Sequence, residues 1–288
     1  MSTASSWTTL IALTAASVGF STSARGQIEN VALVVDDARP LNAAVWDLIQ
    51  RYPIMVTYED PRFEFAGDIR DVTDQIRKSP NPSGRRALVP SGGILQTTYQ
   101  VSQETGKPLS VADTVQRIVE AKNANPIGGR FEIYQSEDVL HVVPAEVRDS
   151  KGNWIRQQSV LNTPITFASE ELDGYHLIEA ILKQVSAASG QDIRGPTGSG
   201  GPSPGLLARY RGAVEARDEP AREVLIRVLH SIDRRFTWLL NYDPSGHLYY
   251  FSVERTAASM PPEPPPRATP RPGDPTPAGP PFQPRNVN

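Results

Sequence analysis

The sequence contains no cysteine, which excludes disulfide bonds, thiolate metal sites, a cysteine nucleophile and a lipid-modified cysteine. It also lacks an excess of basic residues, because 29 Lys and Arg stand against 32 Asp and Glu and the net charge is −3. A nucleic-acid-binding protein usually carries a basic face, so we expect no nucleic-acid partner. The four histidines never show the i, i+4 spacing of a helical zinc site, and neither a metal nor a cofactor is predicted.

Long apolar runs are equally scarce, and the most continuous one occupies residues 7–20. Small residues follow it at 21–26, a layout typical of a secretory signal peptide, although residues 1–9 contain no Lys or Arg. The run is shorter than the ~20 apolar residues that span a membrane. We therefore predict a signal peptide over residues 1–26, export to the periplasm or beyond, and no transmembrane segment in the mature chain.

Proline is distributed unevenly, and residues 260–288 hold 12 of the 27 prolines. Such a segment lacks backbone donors and apolar side chains, so it cannot build a core. We predict a disordered Pro-rich tail over residues 257–288. Two folded domains are predicted before it, at 28–150 and 151–256. Their boundary at 148–153 is equally compatible with a hairpin tip inside one domain.

An internal repeat links the two predicted domains. Residues 38–61 align without a gap to residues 221–244, at an offset of 183, and seven of the 24 positions are identical. Each copy shows apolar residues on one helical face, then a strand that ends in Asp-Pro, which is a turn signal. A strand is expected before each helix, over residues 206–216 in the second copy. The repeat therefore predicts two β-α-β-β units.

The middle of the chain follows the same pattern. A helix is expected over residues 110–123, followed by a hairpin of strands 130–134 and 139–143. Another helix is expected over residues 170–189, with Leu172 and either His176 or Leu177 among its inward residues. Because the strands occur mainly as hairpins, the fold class is predicted as α+β with antiparallel sheets.

The first copy resembles the short N-terminal domain of secretins and TonB-dependent receptors. Residues 40–48 read PLNAAVWDL and residues 58–61 read YEDP, and residues 241–244 echo the turn. Neither a secretin pore segment nor a receptor barrel follows. The chain as a whole resembles exported bacterial proteins of unknown function. The resemblance implies an envelope protein built for protein contacts and not for catalysis, by fold-level analogy.

Three acidic residues are candidates for chemistry. Glu59 and Asp60 are paired carboxylates, which act as general acid and base where burial separates their pKa values. Asp173 lies in the first turn of the helix predicted at 170–189 and, at i, i+3, could share a helix face with His176. Ordinary structural roles also account for these residues. Asp60 precedes a proline in a turn, and acidic residues such as Asp173 are common in the capped first turn of a helix. The alternative function is thus a periplasmic hydrolase that uses Glu59, Asp60 or Asp173.

Arginine is the candidate binding residue. Arg209, Arg211 and Arg217 would share one face if the strand predicted at 206–216 continued regularly, forming a contact strip for an envelope protein or a cell-wall polymer. A solvated sheet face would look the same. A third hypothesis is a small-ligand pocket lined by aromatic residues such as Trp46, Trp154 and Trp238. Burial of these side chains in the core would speak against such a pocket, and we expect Trp46 and Trp238 to be buried there.

The sequence thus favours a non-catalytic exported envelope protein that binds or scaffolds a partner. The hydrolase and the small-ligand-binding protein stay open as alternatives, and enzymatic activity is left undecided. The partner is expected to be an envelope protein or a cell-wall polymer.

Overall fold

The computed structural model describes residues 27–76, 86–196 and 203–258. The predicted signal peptide at 1–26 lies outside the described residues, as does all of the predicted tail except residues 257 and 258. The described chain is α+β, which confirms the predicted class. No helix in the described ranges is both long and apolar enough to cross a membrane.

Strands and helices alternate along most of the described chain. In chain order they are β1 (Ile28–Asp37), α1 (Pro40–Arg51), β2 (Val56–Glu59), β3 (Ile69–Asp71), α2 (Thr73–Ile76), β4 (Leu88–Pro90), β5 (Gly93–Ser102), α3 (Val111–Ala124), β6 (Arg130–Ser136), β7 (Val139–Arg148), β8 (Trp154–Arg156), β9 (Pro164–Ala168), α4 (Gly174–Ser189), β10 (Asp192–Arg194), α5 (Ser203–Arg209), β11 (Glu215–Pro220), α6 (Ala221–Ile232), β12 (Phe236–Asp243) and β13 (Leu248–Arg255).

Two units with the same element order make up this fold. Unit A, residues 28–148, consists of β1, α1, β2, β5, α3, β6 and β7. Unit B, residues 164–255, consists of β9, α4, β10, β11, α6, β12 and β13. Each unit carries its insertion after its second strand, which is β3-α2-β4 in unit A and α5 in unit B. Both units therefore read β-α-β-β-α-β-β.

The strand pairing is the same in both units. The first and third strands form an antiparallel two-stranded sheet, β1–β5 in unit A and β9–β11 in unit B. The other three strands form a second sheet, in the order β2-β7-β6 and β10-β13-β12. Strand β12 then pairs in parallel with β2, so one continuous sheet runs β10-β13-β12-β2-β7-β6, with β8 added to β7. The predicted antiparallel hairpins are present as β6–β7 and β12–β13.

The two units cover opposite faces of this shared sheet. Leu239 packs in the core that contains the inner faces of α1 and α3. Its neighbours Trp238 and Leu240 pack in the core that contains α4 and α6. Adjacent residues of a strand point to opposite faces, so the helices of units A and B lie on opposite sides. This double coverage explains why β7 and β12 are buried along nearly their whole length.

Most predicted helices and strands are present, with two corrections. The helix predicted at 170–189 begins at Gly174, and its inward residue is Leu177, while the His176 side chain is 66% exposed. The strand predicted at 206–216 is wrong, because Ser203–Arg209 is a helix and β11 starts only at Glu215. Leu206 and Leu207 both pack against the core of unit B from one side of this helix. In a strand, two consecutive side chains would point to opposite faces.

The domain boundary and the repeat also take a different form. Residues 149–153 form the turn between β7 and β8, the hairpin-tip alternative, and the predicted domains share one sheet within one compact unit. The gapless repeat aligns α1 with α6, whereas the element order makes α1 equivalent to α4. The aligned segments instead meet at the junction of the two units. There β2 and β12 lie side by side, and the helix before each strand covers an opposite face.

Candidate functional site

The candidate carboxylates lie at the junction of the two units, at the end of β2. This strand is held between β12 and β7, and Glu59 and Asp60 are each exposed by 1% or less. Each meets one arginine from the start of a helix. Asp60 pairs with Arg39, directly before α1, and Glu59 pairs with Arg222, in the first turn of α6. Arg39 and Arg222 occupy identical positions in the sequence repeat.

Asp60 fastens unit A to unit B. Its Oδ2 accepts hydrogen bonds from Arg39 Nε at 2.6 Å and from the Tyr242 backbone N–H at 3.0 Å. Its Oδ1 accepts a bond from the Tyr58 hydroxyl at 2.7 Å. Arg39 Nη2 also donates to the Tyr242 carbonyl at 2.6 Å. Burial raises the pKa of Asp60 against the opposing effect of Arg39 and these donors. The aspartate of the Tyr-x-Asp-Pro sequence is therefore a buried residue that links the two units by hydrogen bonds.

Glu59 makes a second network toward unit B. It accepts hydrogen bonds from the Val160 backbone N–H at 2.6 Å and from the Ser159 hydroxyl. Arg222 Nη2 lies 3.5 Å from Glu59 Oε2 and also donates to Ser159 Oγ. Burial raises the pKa of Glu59 and lowers the pKa of Arg222, and it outweighs their mutual attraction. Within the described residues, Arg222 Nε and Nη1 have no hydrogen-bond partner, so this pair is held at an electrostatic cost.

His141 lies beside this network as a neutral core residue. Its Nδ1 lies 2.7 Å from Thr57 Oγ1 and its Nε2 lies 3.0 Å from Ser136 Oγ. The ring stacks between Tyr134 and Trp238, with centroid distances of 5.5 and 5.8 Å. Burial, followed by the nearby Arg222 charge, lowers the pKa of His141 to about 3. The imidazole is therefore uncharged at neutral pH.

Of the remaining predicted site residues, Asp173 and Arg211 come within ion-pair distance, with Arg211 Nη1 3.8 Å from Asp173 Oδ2. Asp173 caps α4, because its Oδ1 accepts the His176 backbone N–H at 3.0 Å and its Oδ2 lies 2.7 Å from His176 Nδ1. That backbone bond is the main cause of a lowered pKa at Asp173. The predicted arginine strip is not formed, since Arg209 ends α5, Arg211 lies in the following loop and Arg217 lies on β11. Its premise, a strand over 206–216, is incorrect.

The tryptophans do not form a shared pocket. Trp238 is buried at 2% exposure, as expected, but Trp46 is 47% exposed because the inward face of α1 passes through positions 41, 44, 45, 48 and 49. Trp154 is 38% exposed and stacks under Arg130, whose Cζ lies 4.6 Å from the ring centroid. None of the three lines the open cleft described next.

An open cleft of about 440 Å³ lies at the side of the junction. Five separate segments line it: the loop after β2, β7, the chain from β8 to residue 163, the end of α4 with the residues that follow it, and β13. Tyr249 and Val160 contribute apolar surface. Ser159 belongs to the wall, and its hydroxyl connects the cleft to buried Glu59. Five polar side chains give the cleft its character, namely Arg62, Arg156, Gln157, Gln158 and Gln191.

The cleft offers positive charge and amide groups. Arg62 is paired with Glu64 at 2.5 Å, and Gln157 Oε1 accepts the Arg62 backbone N–H at 3.0 Å. Arg156 is exposed and makes no ion pair with any described residue. A free guanidinium binds carboxylates in a bidentate manner, and glutamine amides both donate to and accept from a peptide backbone. The run Arg156-Gln157-Gln158 was the only local sequence signal for this site.

Metal binding and known relatives give no further assignment. In the described part of the chain, no group of three or more His, Asp or Glu residues is placed to hold a metal ion. Comparison of the chain with protein-family models, with curated proteins and with solved structures found no match.

Proposed function

We propose that this protein is a non-catalytic exported envelope protein that binds an acidic segment of a partner protein in the cleft. One contrast carries the proposal. The candidate carboxylates Glu59, Asp60 and Asp173 are all engaged in structural hydrogen bonds, whereas Arg156 projects from the cleft wall without a charged partner among the described residues.

The ligand class follows from the lining of the cleft. Glu64, its one carboxylate, is already paired with Arg62, so an incoming carboxylate meets Arg156 without a competing charge. The surrounding glutamines suit the N–H and C=O groups of an extended peptide. The envelope location rests on the signal peptide predicted at 1–26 and on the resemblance to secretin and receptor domains.

The two alternative functions have less support. A hydrolase would need a reactive group that faces the cleft. Among the groups that line the cleft, the Ser159 hydroxyl donates to Glu59 and accepts from Arg222, and both bonds hold it in place. A small-ligand pocket lined by tryptophans has no counterpart, because Trp46, Trp154 and Trp238 lie apart from the cleft.

The test is a binding titration with a defined probe. A short fluorescein-labelled peptide that alternates Glu with Gly is titrated with the protein and followed by fluorescence anisotropy. The control peptide carries Gln in place of Glu. We expect Arg156→Gln to weaken binding of the Glu peptide about tenfold or more, since a charge-assisted hydrogen bond contributes ~1.5–3 kcal/mol. Arg209→Gln is the matched control, because Arg209 is another exposed arginine outside the cleft.

Two results would contradict the proposal. One is equal affinity for the Glu and Gln peptides. The other is an equal effect of Arg156→Gln and Arg209→Gln, which would indicate a non-specific charge effect. Binding of an acidic cell-wall polymer with no binding of the Glu peptide would replace the protein partner by that polymer.

A further inference from the structure

Strand β8 forms a short open edge of the central sheet beside the cleft. It pairs with β7, and no described strand pairs with its other edge. All three of its residues are exposed, and two of them, Ile155 and Arg156, line the cleft. An open edge binds a further strand where nothing protects it, because main-chain hydrogen bonds then hold an extended peptide. A peptide that lies in the cleft is therefore next to a free sheet edge.

The backbone groups that face this free edge belong to Trp154 and Arg156. Directly beyond the two ends of β8, the Gln157 N–H and the Asn153 carbonyl are hydrogen-bonded toward β7, at 3.0 and 2.9 Å. Backbone direction alternates along a strand of an antiparallel pair, so Ile155 also faces β7, whereas Trp154 and Arg156 face outward. Among the described residues, no hydrogen bond occupies their outward N–H and C=O groups. Each of the two residues thus offers one donor and one acceptor to a peptide.

The side chains of β8 define the kind of sequence that fits this edge. Successive side chains of a strand point to opposite faces, so Trp154 and Arg156 lie on one face and Ile155 lies on the other. A residue added beside Arg156 shares its face, and a carboxylate there meets a guanidinium that has no ion pair within the described residues. The next residue of the added strand lies beside Ile155, which is 43% exposed, and an apolar side chain there covers that surface. The edge therefore suits a strand in which acidic and apolar residues alternate.

We propose that the acidic segment of the partner binds as an added β-strand on the outer edge of β8, with acidic and apolar residues in alternation and a carboxylate beside Arg156. This inference rests on the proposed function, and it specifies the conformation and the sequence pattern of the ligand. Main-chain hydrogen bonds to Trp154 and Arg156 hold the strand, and the two kinds of side chain fix its register, because a shift by one residue would place a carboxylate beside Ile155.

Backbone methylation of the ligand tests the added strand. The probe is a fluorescein-labelled peptide that alternates Glu with Val, and its binding is followed by fluorescence anisotropy. One methylated form carries N-methyl groups at its Glu residues, and the other carries them at its Val residues. In an added strand only every second N–H faces β8, so one form should bind about tenfold or more weakly than the unmethylated peptide, while the other stays within about threefold. Equal affinity of all three peptides, or an equal loss in both methylated forms, overturns the proposal.

A substitution in β8 gives an independent measurement with the same probe. Trp154→Pro removes an outward N–H and spares the hydrogen bonds to β7, as proline does on an edge strand. Trp154→Ala is the matched control, because it removes the same ring and keeps the N–H. Trp154→Pro should bind the peptide about two- to tenfold more weakly than Trp154→Ala, which corresponds to the loss of one hydrogen bond. Circular dichroism verifies that both variants are folded, and equal affinity of the two folded variants overturns the proposal.

A third peptide tests the alternation and separates this inference from the proposed function. It has the same composition, but its Glu residues form one block and its Val residues another, so it should bind about threefold or more weakly than the alternating peptide. Equal affinity of the blocked and alternating peptides, with binding of both still weakened by Arg156→Gln, would reject the added strand and retain the acidic ligand of the cleft. Binding of the alternating peptide that Arg156→Gln leaves unchanged would reject both.

Discussion

The buried pair of Glu59 and Arg222 allows a quantitative test of how the junction is held. Glu59→Leu leaves the buried guanidinium with its hydrogen bond to the Ser159 oxygen and its contact with the Tyr134 ring, 5.6 Å from Cζ to the centroid. Arg222→Met leaves the buried carboxylate with the Val160 N–H and the Ser159 hydroxyl. Removing one partner of a buried ion pair costs about 3–5 kcal/mol. We expect Arg222→Met near the lower end of this range, because Glu59 keeps two donors.

The double variant should behave differently from the sum of its parts. Combining Glu59→Leu with Arg222→Met removes both buried charges together with the two unpartnered guanidinium nitrogens. Replacement of a buried ion pair by apolar residues is often neutral or stabilising. The double variant should therefore lose at most about 1 kcal/mol. Since the two single losses sum to at least about 6 kcal/mol, the coupling between the two sites should be at least about 5 kcal/mol.

The assay is urea unfolding of the wild type, both single variants and the double variant, monitored by circular dichroism and by the fluorescence of buried Trp238. The control cycle uses Glu219 and Arg227, an ion pair at 2.8 Å whose side chains are 39% and 48% exposed. We expect at most about 1 kcal/mol of coupling there. A double variant that loses the sum of the two single losses would refute the assignment of Glu59 and Arg222 as one coupled buried pair.

Three further predictions follow from the same structure. Because burial lowers the pKa of His141 to about 3, far below its unfolded value, stability should fall as pH drops from about 6.5 toward 3, by about 1.4 kcal/mol per pH unit; His141→Gln should lack this part of the slope in urea titrations at several pH values. Asp173→Ala removes the cap of α4 and should cost about 1 kcal/mol in thermal unfolding, while peptide binding stays unchanged. Trp46→Gln should change the free energy of unfolding by less than about 0.5 kcal/mol, because that side chain is largely exposed.

Local periodicity was sufficient to predict several elements. The spacing of apolar residues located α3, and alternation located the β6–β7 hairpin. Periodicity gave the wrong element at residues 206–216, because a short apolar segment fits both a helix and a strand. The hydrophobicity of Trp46 favours the core, but its angular position on α1 lies off the buried face of that helix.

The role of the carboxylates depended on contacts that are distant in sequence. Asp60 was recognised as a candidate, but its bond to the Tyr242 backbone spans 182 residues. The repeat alignment already contained the key pair of positions, Arg39 and Arg222, yet it did not show that each arginine meets a carboxylate at the end of the same strand. The cleft was missed for the same reason, since its lining comes from separate segments.

The most direct test of the account is an NMR titration of the arginine side-chain Nε–H signals with the Glu-containing peptide. If the cleft is the binding site, the signals of Arg62 and Arg156 shift during the titration, while those of Arg209, Arg211 and Arg217 stay in place. Shifts confined to Arg209, Arg211 and Arg217, or no shift at Arg156 at saturating peptide, would contradict the assignment of the cleft.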